Sequence, residues 1–306
     1  MEANLTVVEA PARQTLSATA AAYIKQKKDA NRTEAEMQAR NVSAEFLHHT
    51  KKRFVDEIKI EDITRFQDVL RKRGCEPRTI ANKHARLISW LTSAGVDPAI
   101  FPPKPRYEEQ LPTIYTSDQI EKLLATPNSY MKLVILIALK LGLRDQELQH
   151  AEFSDINREH RILRVQGKAK WNFHVKAYEQ RDIPIPDDLF EELMNWEKEH
   201  PKQSLILATR KGNPNGKLLF ALKRVARNAG LNCGRCDGCN SKSRECREFD
   251  LHKFRRTYIT TLLRNNVDLR TVQAFAGHKD LASTMRYLTP AAATETRAKI
   301  NVIKWR

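Results

Sequence analysis

The spacing of apolar residues along the first third of the chain predicts a domain made of helices. Apolar positions recur there at helical intervals, most clearly over residues 62–72, where Ile63 and Phe66 would share one face. We therefore predict an all-helical domain over residues 15–100. A loose arm with no clear period, residues 1–14, would precede it.

The pattern changes after a proline-rich stretch at residues 101–112, which is typical of a stiff interdomain linker. Residues 131–142 are almost all apolar and predict a helix buried in a core. Residues 161–165 and 181–185 predict two strands joined by a long turn. Helical spacing then returns, so the second domain, residues 113–306, is predicted to be mixed. The predicted fold is mainly α with a small antiparallel sheet (α+β).

Charge points to a polyanionic partner. The 306 residues include 53 Lys and Arg against 37 Asp and Glu, a formal net charge of +16. Basic surface gains affinity for DNA by releasing phosphate counterions. The longest apolar run, residues 133–139, is far shorter than the roughly 20 residues a bilayer requires, and residues 1–14 do not look like a signal sequence. We expect a cytoplasmic protein with no membrane partner, whose cysteines stay reduced.

Four of the five cysteines lie close together, in the spacing C-x2-C-x2-C-x6-C. They are Cys233, Cys236, Cys239 and Cys246. Four thiolates so spaced can surround one Zn²⁺ ion, which predicts a structural zinc site. Free or redox-active thiols and an iron–sulfur cluster remain alternatives. Cys75, which stands alone in the helical domain, is predicted to be an ordinary thiol.

A second group of residues, spread over the second domain, has the chemistry needed to cleave a phosphodiester. An arginine can hold a phosphate through two oxygens, and a tyrosine hydroxyl can attack phosphorus and form an ester. His252 and Arg255 lie three apart and would share one helix face. The group consists of Arg144, His252, Arg255, His278 and Tyr287.

The sequences around these residues resemble the tyrosine recombinase (phage integrase) family, including its Xer-like members. LKLGLRDQELQHAEFSDI is similar to the family's first arginine box, FDLHKFRRTYITTLLRNN to its His-x-x-Arg box, and VQAFAGHKDLASTMRYL to its Gly-His…Tyr box. The resemblance covers about 290 residues. It implies a helical core-binding (SAM-like) domain followed by a catalytic domain. The cysteine insert, residues 231–248, departs from the family pattern.

The resemblance also implies residue roles in a reaction that needs neither metal nor ATP. Arg144, Arg255 and His278 would stabilise the pentacoordinate phosphate. His252 would assist proton transfer, and Tyr287 would be the nucleophile that forms a 3′-phosphotyrosine. Glu147 would orient its neighbours rather than act as a catalyst.

The family's general acid, a lysine in the turn between the two strands, has two candidates here. Lys168 follows Val165-Gln-Gly, which is the family's upstream context. Lys176 lies five residues before Arg181, which matches the downstream spacing, and it is favoured because the second strand gives the better-defined register.

The resemblance predicts an enzyme that recombines double-stranded DNA at specific sites, in a phage, a transposon or a chromosome. It implies a homotetramer when two DNA sites are synapsed, and a monomer or weak oligomer in solution. The apolar tail at residues 300–306 would then pack on a neighbouring protomer, or fold back on its own domain. Two other functions remain open: a type IB topoisomerase-like strand transferase, and a zinc-containing DNA-binding protein without catalysis.

Overall fold

The computed structural model describes residues 13–30, 32–109, 111–175, 180–241 and 245–288, together with Arg297, Asn301 and Val302. The chain divides into two compact units, one within residues 1–109 and the other within residues 110–306. The predicted arm, residues 1–14, lies outside the described residues except for Arg13 and Gln14.

The described part of the first unit contains four α-helices. They are α1 (Leu16–Asp29), α2 (Thr33–Thr50), α3 (Ile60–Lys72) and α4 (Pro77–Ser93). Proline at the first position of α4 suits a helix start, because the amide hydrogen it lacks would have no partner there. The core of this unit includes three aromatic side chains: the Phe46 ring meets the rings of Phe66 and Trp90 edge-on, with centroids 5.5 and 5.9 Å apart. The predicted apolar face of α3 is buried at Ile63, Phe66 and Leu70.

The second unit combines helices with one small sheet. Its elements are α5 (Ser117–Leu124), α6 (Ser129–Leu141), α7 (Asp145–His150), β1 (Ile156–Asn157), β2 (Ile162–Val165), β3 (Arg181–Pro184), α8 (Asp187–Glu199), α9 (Leu218–Asn228), α10 (Asp237–Asn240), α11 (Leu251–Arg264), α12 (Leu269–Ala276) and α13 (Leu281–Met285). The predicted fold class, mainly helical with a small antiparallel sheet, is confirmed. No helix within the described ranges is long and apolar enough to cross a membrane.

The sheet is antiparallel, with its strands in the order β1-β2-β3. Both predicted strands are present, and the two-residue strand β1 is an addition that the sequence pattern did not reveal. Leu163 of β2 pairs with Ile183 of β3, and both side chains are buried. The register brings Val165 opposite Arg181, so the chain between these two residues forms the long connection that was predicted.

Helix α6 lies at the centre of the second unit. Seven of its residues are buried, as the apolar run predicted. The helix ends at Gly142, whose φ of +58° is the left-handed conformation that glycine adopts without strain. A Cβ atom at this position would collide with the ring of Tyr258 on α11. The glycine thus lets α11 pack against the end of α6, and Arg144 follows directly.

Candidate active site and cysteine centre

Arg255 is almost completely buried, with 1 % of its surface exposed. Its Nη1 donates a hydrogen bond to the carbonyl oxygen of Gly142 at 2.7 Å, and its Nη2 donates to the carbonyl oxygen of Ala276. Burial lowers the pKa of the guanidinium to about 9, and the nearby charge of Arg144 lowers it further in the same direction. Arg255 therefore stays charged at neutral pH despite its burial.

Arg144, at the start of α7, contacts the same carbonyl group of Ala276 at the end of α12 that Arg255 contacts from α11. Its Nη1 donates to Glu147 Oε1 at 2.8 Å. Its Nη2 donates to the carbonyl oxygens of Gly277 at 2.7 Å and Ala276 at 3.3 Å. The fold thus brings Arg144 and Arg255, 111 positions apart in the sequence, to the carboxyl end of α12.

A third arginine, which the sequence pattern did not reveal, completes this group. Arg181 donates to both carboxylate oxygens of Glu147, at 2.9 and 2.6 Å. Burial would raise the pKa of Glu147, but the hydrogen bonds and charge of Arg181, together with the charge of Arg144, lower it to about 2. Glu147 is therefore ionised at neutral pH, and it orients Arg144 as predicted.

His278 follows the break that Gly277 makes at the end of α12, where φ is +58°. Its Nδ1 lies 2.9 Å from the hydroxyl oxygen of Thr284, and its ring stacks on that of Tyr287 with centroids 6.1 Å apart and planes 18° apart. Burial lowers the pKa of His278 to about 4, and the charges of Arg255 and Arg144 contribute. The imidazole is therefore neutral at pH 7.

Tyr287 is half-buried after α13 and packs on a small apolar cluster that includes Tyr258 and Val272. Its amide donates to the carbonyl oxygen of Thr284 at 3.0 Å. The stacking on His278 sets the phenol beside a residue whose pKa the two arginines lower. Predicted nucleophile, histidine and arginines are thus brought together in one site.

His252 lies in the first turn of α11, one turn before Arg255, with an exposed side chain. The helix starts at Asp250, whose carboxylate accepts a hydrogen bond from the amide of Lys253 at 2.7 Å. Asp250 is itself held by the Tyr115 hydroxyl, which donates to its carbonyl oxygen and accepts from its amide, both at 3.0 Å. Partial desolvation lowers the pKa of His252, and Arg255 lowers it further.

The two lysine candidates differ in what the structure describes. Lys176 lies outside the described residues. Lys168 is held between two carboxylates: its Nζ contacts Glu152 Oε2 at 3.0 Å and also pairs with Asp155. The side chain is only 10 % exposed. A proton donated from Lys168 would require it to leave both carboxylates.

The first part of the β2–β3 connection folds back on the domain. Lys168 and Phe173 form a short bridge, and Phe173 stacks on the ring of His150 at 4.6 Å with planes 7° apart. The indole nitrogen of Trp171 donates to Glu152 Oε1 at 3.4 Å. The segment before Lys176 is therefore anchored to His150 of α7 and to Glu152, which follows that helix.

The four clustered cysteines converge as their spacing predicted. Their sulfur atoms all lie within 4.8 Å of one another, and the Cys236 sulfur lies 3.5 Å from that of Cys239 and 3.9 Å from that of Cys246. Tetrahedral Zn²⁺ with bonds of about 2.3 Å separates its thiolates by roughly 3.8 Å. The donor set and the spacing fit one such ion. An iron–sulfur cluster bonds its cysteines to different iron atoms, which would hold the sulfurs farther apart.

The centre is part of the domain rather than a surface appendage. Cys246 is 1 % exposed and belongs to the main core of the second unit. Cys236 is more accessible, and hydrogen bonds from the amides of Arg247 and Cys239 lower its pKa to about 6. Gly238 lets the main chain at Glu245 approach α10 closely, since a Cβ atom there would collide with the carbonyl oxygen of Glu245. Cys75 lies in the other unit.

Comparison with known proteins agrees with the site. The profile of the phage integrase family matches residues 114–294, more than half of the chain. The tyrosine recombinase XerA of Pyrococcus horikoshii is 27 % identical over 234 residues, which cover 74 % of each protein. The tyrosine recombinase XerD of Staphylococcus aureus is 27 % identical over 242 residues, 72 % of this chain and 76 % of the relative.

Solved structures show the same fold at low sequence identity. The Tn1549 transposon integrase in complex with transposon right end DNA has a TM-score of 0.71 at 16 % identity, covering 94 % of this chain and 99 % of the other. XerH bound to its difH substrate has a TM-score of 0.66 at 18 % identity, with 94 % and 96 % covered. A lambda integrase tetramer bound to a Holliday junction has a TM-score of 0.67 at 15 % identity, with 90 % and 78 % covered.

The chain belongs to the phage integrase family, and it is an enzyme of the tyrosine recombinase class. The resemblance that the three sequence boxes indicated is thereby confirmed. Site-specific DNA recombination is the function of this class, so the predicted function is confirmed at that level.

Proposed function

We propose that the protein cuts and rejoins double-stranded DNA at specific sites through a phosphotyrosine intermediate. The Tyr287 hydroxyl oxygen attacks the scissile phosphorus, a bond forms between them, and the bond from phosphorus to the 5′ oxygen breaks. The enzyme then holds the 3′ phosphate as an ester. The 5′ hydroxyl of another strand reverses these steps, so rejoining needs no outside source of energy.

The observation that carries the proposal is the pair of arginines at the end of α12. Arg255 is buried and Arg144 is largely so, with 21 % of its side chain exposed. Both are held by main-chain carbonyls next to the His278 segment. Guanidinium groups fixed before the substrate arrives stabilise the charge that a phosphate gains in its transition state without further reorganisation.

Proton transfers are assigned to the remaining groups. The Thr284 hydroxyl can donate to Nδ1 of His278, which leaves Nε2–H to donate to a non-bridging phosphate oxygen. His252, exposed beside Arg255 and with a lowered pKa, assists in taking the proton from Tyr287. A lysine of the β2–β3 connection protonates the departing 5′ oxygen. We assign Lys176 this role, since Lys168 is engaged by Glu152 and Asp155.

The lysine assignment has a direct test. A substrate with sulfur in place of the bridging 5′ oxygen has a leaving group that needs no proton. Loss of the general acid should therefore be rescued by this substrate, while loss of any other group should not. We expect rescue for Lys176→Ala and none for Lys168→Ala. The opposite result would assign Lys168 as the acid.

We propose that Cys233, Cys236, Cys239 and Cys246 hold one structural Zn²⁺ ion. The support is the close spacing of the four sulfur atoms, which all lie within 4.8 Å of one another, and the position of the cluster just before α11. The ion would fix the chain between α9 and α11 and would take no part in the chemistry. No cofactor is needed for cleavage, because nucleophile, phosphate-binding groups and proton donors are all side chains.

We further propose that residues 15–100 and 113–306 act as two DNA-binding domains joined by the stretch at residues 101–112, with DNA in the cytoplasm as substrate. Both units carry many basic residues. On two synapsed sites the working form would be a homotetramer, as in the lambda integrase tetramer on its Holliday junction.

Trapping a covalent complex tests the reaction. A substrate nicked next to the cleavage site releases a short fragment that diffuses away, so the enzyme remains on the DNA. We expect an adduct that survives denaturant and appears in EDTA without ATP. Binding without any adduct would favour a DNA-binding protein. Relaxation of supercoiled DNA without strand exchange would favour a type IB topoisomerase-like activity.

A further inference from the structure

Arg181 is a buried cation that the reaction described above does not use. It is the first residue of β3, and its side chain is 7 % exposed. Besides the two contacts to Glu147, its Nε donates to the carbonyl oxygen of Phe275 at 2.8 Å. One side chain thus connects β3, α7 and the carboxyl end of α12. A buried guanidinium is costly unless well paired, so this position is specified closely by its surroundings.

We propose that Arg181 is a positioning residue for DNA cleavage, which holds Glu147 and the end of α12 in place and through them Arg144 and His278. The inference deepens the proposed function and rests on it. Arg181 itself need not touch DNA.

The contacts to Glu147 explain how Arg181 acts on Arg144. The side chain of Arg181 donates hydrogen bonds to both carboxylate oxygens of Glu147, whereas the side chain of Arg144 donates only to Oε1. Without Arg181, both oxygens of the Glu147 carboxylate could accept hydrogen bonds from the guanidinium of Arg144. Two parallel hydrogen bonds are the preferred geometry of an arginine–carboxylate pair. Arg144 would then be drawn away from the carbonyl oxygens of Ala276 and Gly277. Arg181 therefore leaves Arg144 directed toward the site.

The contact with Gly277 explains how Arg181 acts on His278. A Cβ atom at Gly277 would lie 3.1 Å from Cδ of Arg181 and 3.2 Å from its Nη1. The guanidinium arm therefore lies directly against the main chain at the turn between α12 and His278. Together with the hydrogen bond to the Phe275 carbonyl, this contact fixes where the turn begins.

Arg181 is also the residue at which the β2–β3 connection, which contains both lysine candidates, ends. It pairs there with Val165 across the sheet. The same residue that holds Glu147 therefore fixes one end of the segment containing Lys168 and Lys176. A shift of about 1 Å in reacting groups can cost on the order of 10²-fold in rate. Loss of Arg181 should cost the cleavage step that much while DNA binding is kept.

The test compares single-turnover cleavage by Arg181→Met and wild type at saturating protein. Arg164→Met is the matched control, because Arg164 lies in the neighbouring strand and pairs with Asp182 but is exposed. We expect a loss on the order of 10²-fold for Arg181→Met, no change for Arg164→Met, and similar DNA affinity for all three. Equal rates for Arg181→Met and wild type would overturn the proposal.

Two further measurements separate positioning from general damage. If Arg181 acts through Glu147, the rate losses of Arg181→Met and Glu147→Gln should be strongly non-additive in the double variant; additive losses would refute this route. Among the described residues, Arg144, Arg181 and Arg255 are charged groups that act on Glu147. Removing Arg181 should move the acid limb of the pH–rate profile to higher pH, because Glu147 would then protonate more readily.

Arg181→Lys keeps the positive charge but loses the planar guanidinium that can donate two parallel hydrogen bonds. It should retain the wild-type acid limb and still cleave slowly, and it serves as the test protein if Arg181→Met does not fold. An acid limb that moves equally in the Lys and Met variants would contradict the role of the charge. A wild-type protein that forms no covalent adduct would overturn the proposed function and this inference together, whereas a normal adduct with unaffected Arg181 variants would overturn the inference alone.

Discussion

Arg144 and Arg255 donate hydrogen bonds to the same acceptor, the carbonyl oxygen of Ala276. That residue is the last of α12, where the carbonyls of a helix carry partial negative charge. Two cations are thereby held side by side in a largely buried site, and their mutual repulsion contributes to the lowered pKa of Arg255. A DNA phosphate would relieve this repulsion, which makes the site selective for an anion before any DNA is bound.

The nucleophile assignment predicts a separation of binding from cleavage. Tyr287→Phe removes one hydroxyl from a half-buried ring that still can stack on His278. DNA affinity should change little, and covalent adducts should disappear. Denaturing gels of protein on nicked substrate would show this directly. An adduct formed by the Phe variant would mean that another residue attacks.

The pair Arg144 and Arg255 predicts that a positive charge at these positions is not enough for DNA cleavage without the guanidinium geometry. Arg144→Lys and Arg255→Lys should each lose about 3 kcal/mol of transition-state stabilisation or more, on the scale of losing an oxyanion donor, because lysine cannot bind a phosphate or two carbonyls as a fork. Arg256→Lys is a control on the same helix, since Arg256 contacts Thr113 instead. Single-turnover rates measure the loss, and near-normal cleavage by both lysine variants would contradict the assigned role.

His278 predicts a pH dependence of stability. Its pKa in the folded protein, about 4, lies below the ordinary value of 6.5. The unfolded chain therefore binds the proton more readily, and stability should fall as the pH is lowered from 6.5 toward 4. His278→Gln removes this contribution. Urea denaturation at pH 7 and pH 5 should show wild type losing more stability than the variant, and equal losses would argue against the lowered pKa.

The cysteine centre predicts bound metal. Purified protein should contain about one zinc per chain, and Cys236→Ser should lose both the metal and thermal stability. Cys75→Ser should lose neither, since Cys75 lies in the other unit. Elemental analysis and thermal melting give the two readouts. Absorption near 400 nm would indicate iron, and protein without metal would favour simple thiols.

The tail predicts a role in assembly. Deleting residues 297–306 removes Val302, which is 80 % exposed, and the apolar residues around it. Most of this segment lies outside the described residues. We expect single-site DNA binding to persist and complexes on paired sites to weaken. Sedimentation of both proteins on paired sites measures this, and identical tetramer formation would show that the tail packs within its own protomer.

The sequence predicted those parts of the site whose signal is local. His252 and Arg255 are three residues apart on a helix, so their shared face follows from helical geometry alone. The buried helix α6 followed from an apolar run. The cysteine cluster followed from spacing, because its four cysteines lie within one short segment around α10. In each case the residues that must meet are close in the chain.

Arg181 could not be found this way, because its partners lie on α7 and α12, 34 and 94 positions away. One signal was available: Arg181 alternates in phase with Ile183 and Ile185, both buried, so the strand pattern directs the arginine inward. The strand β1 was missed because two residues are too few for a period. The pairing of Lys168 with Glu152 and Asp155 likewise depends on how separate elements come together.

Cys246 has a consequence for how this protein could be altered. It is one of the four converging sulfurs and also a residue of the main core, in contact with the region that leads into α11. Residues 231–248 consequently cannot be excised as a cassette, nor transplanted into a relative by joining loop ends, without rebuilding the interior beneath them. A shortened version of this protein would need a new apolar side chain where Cys246 now stands.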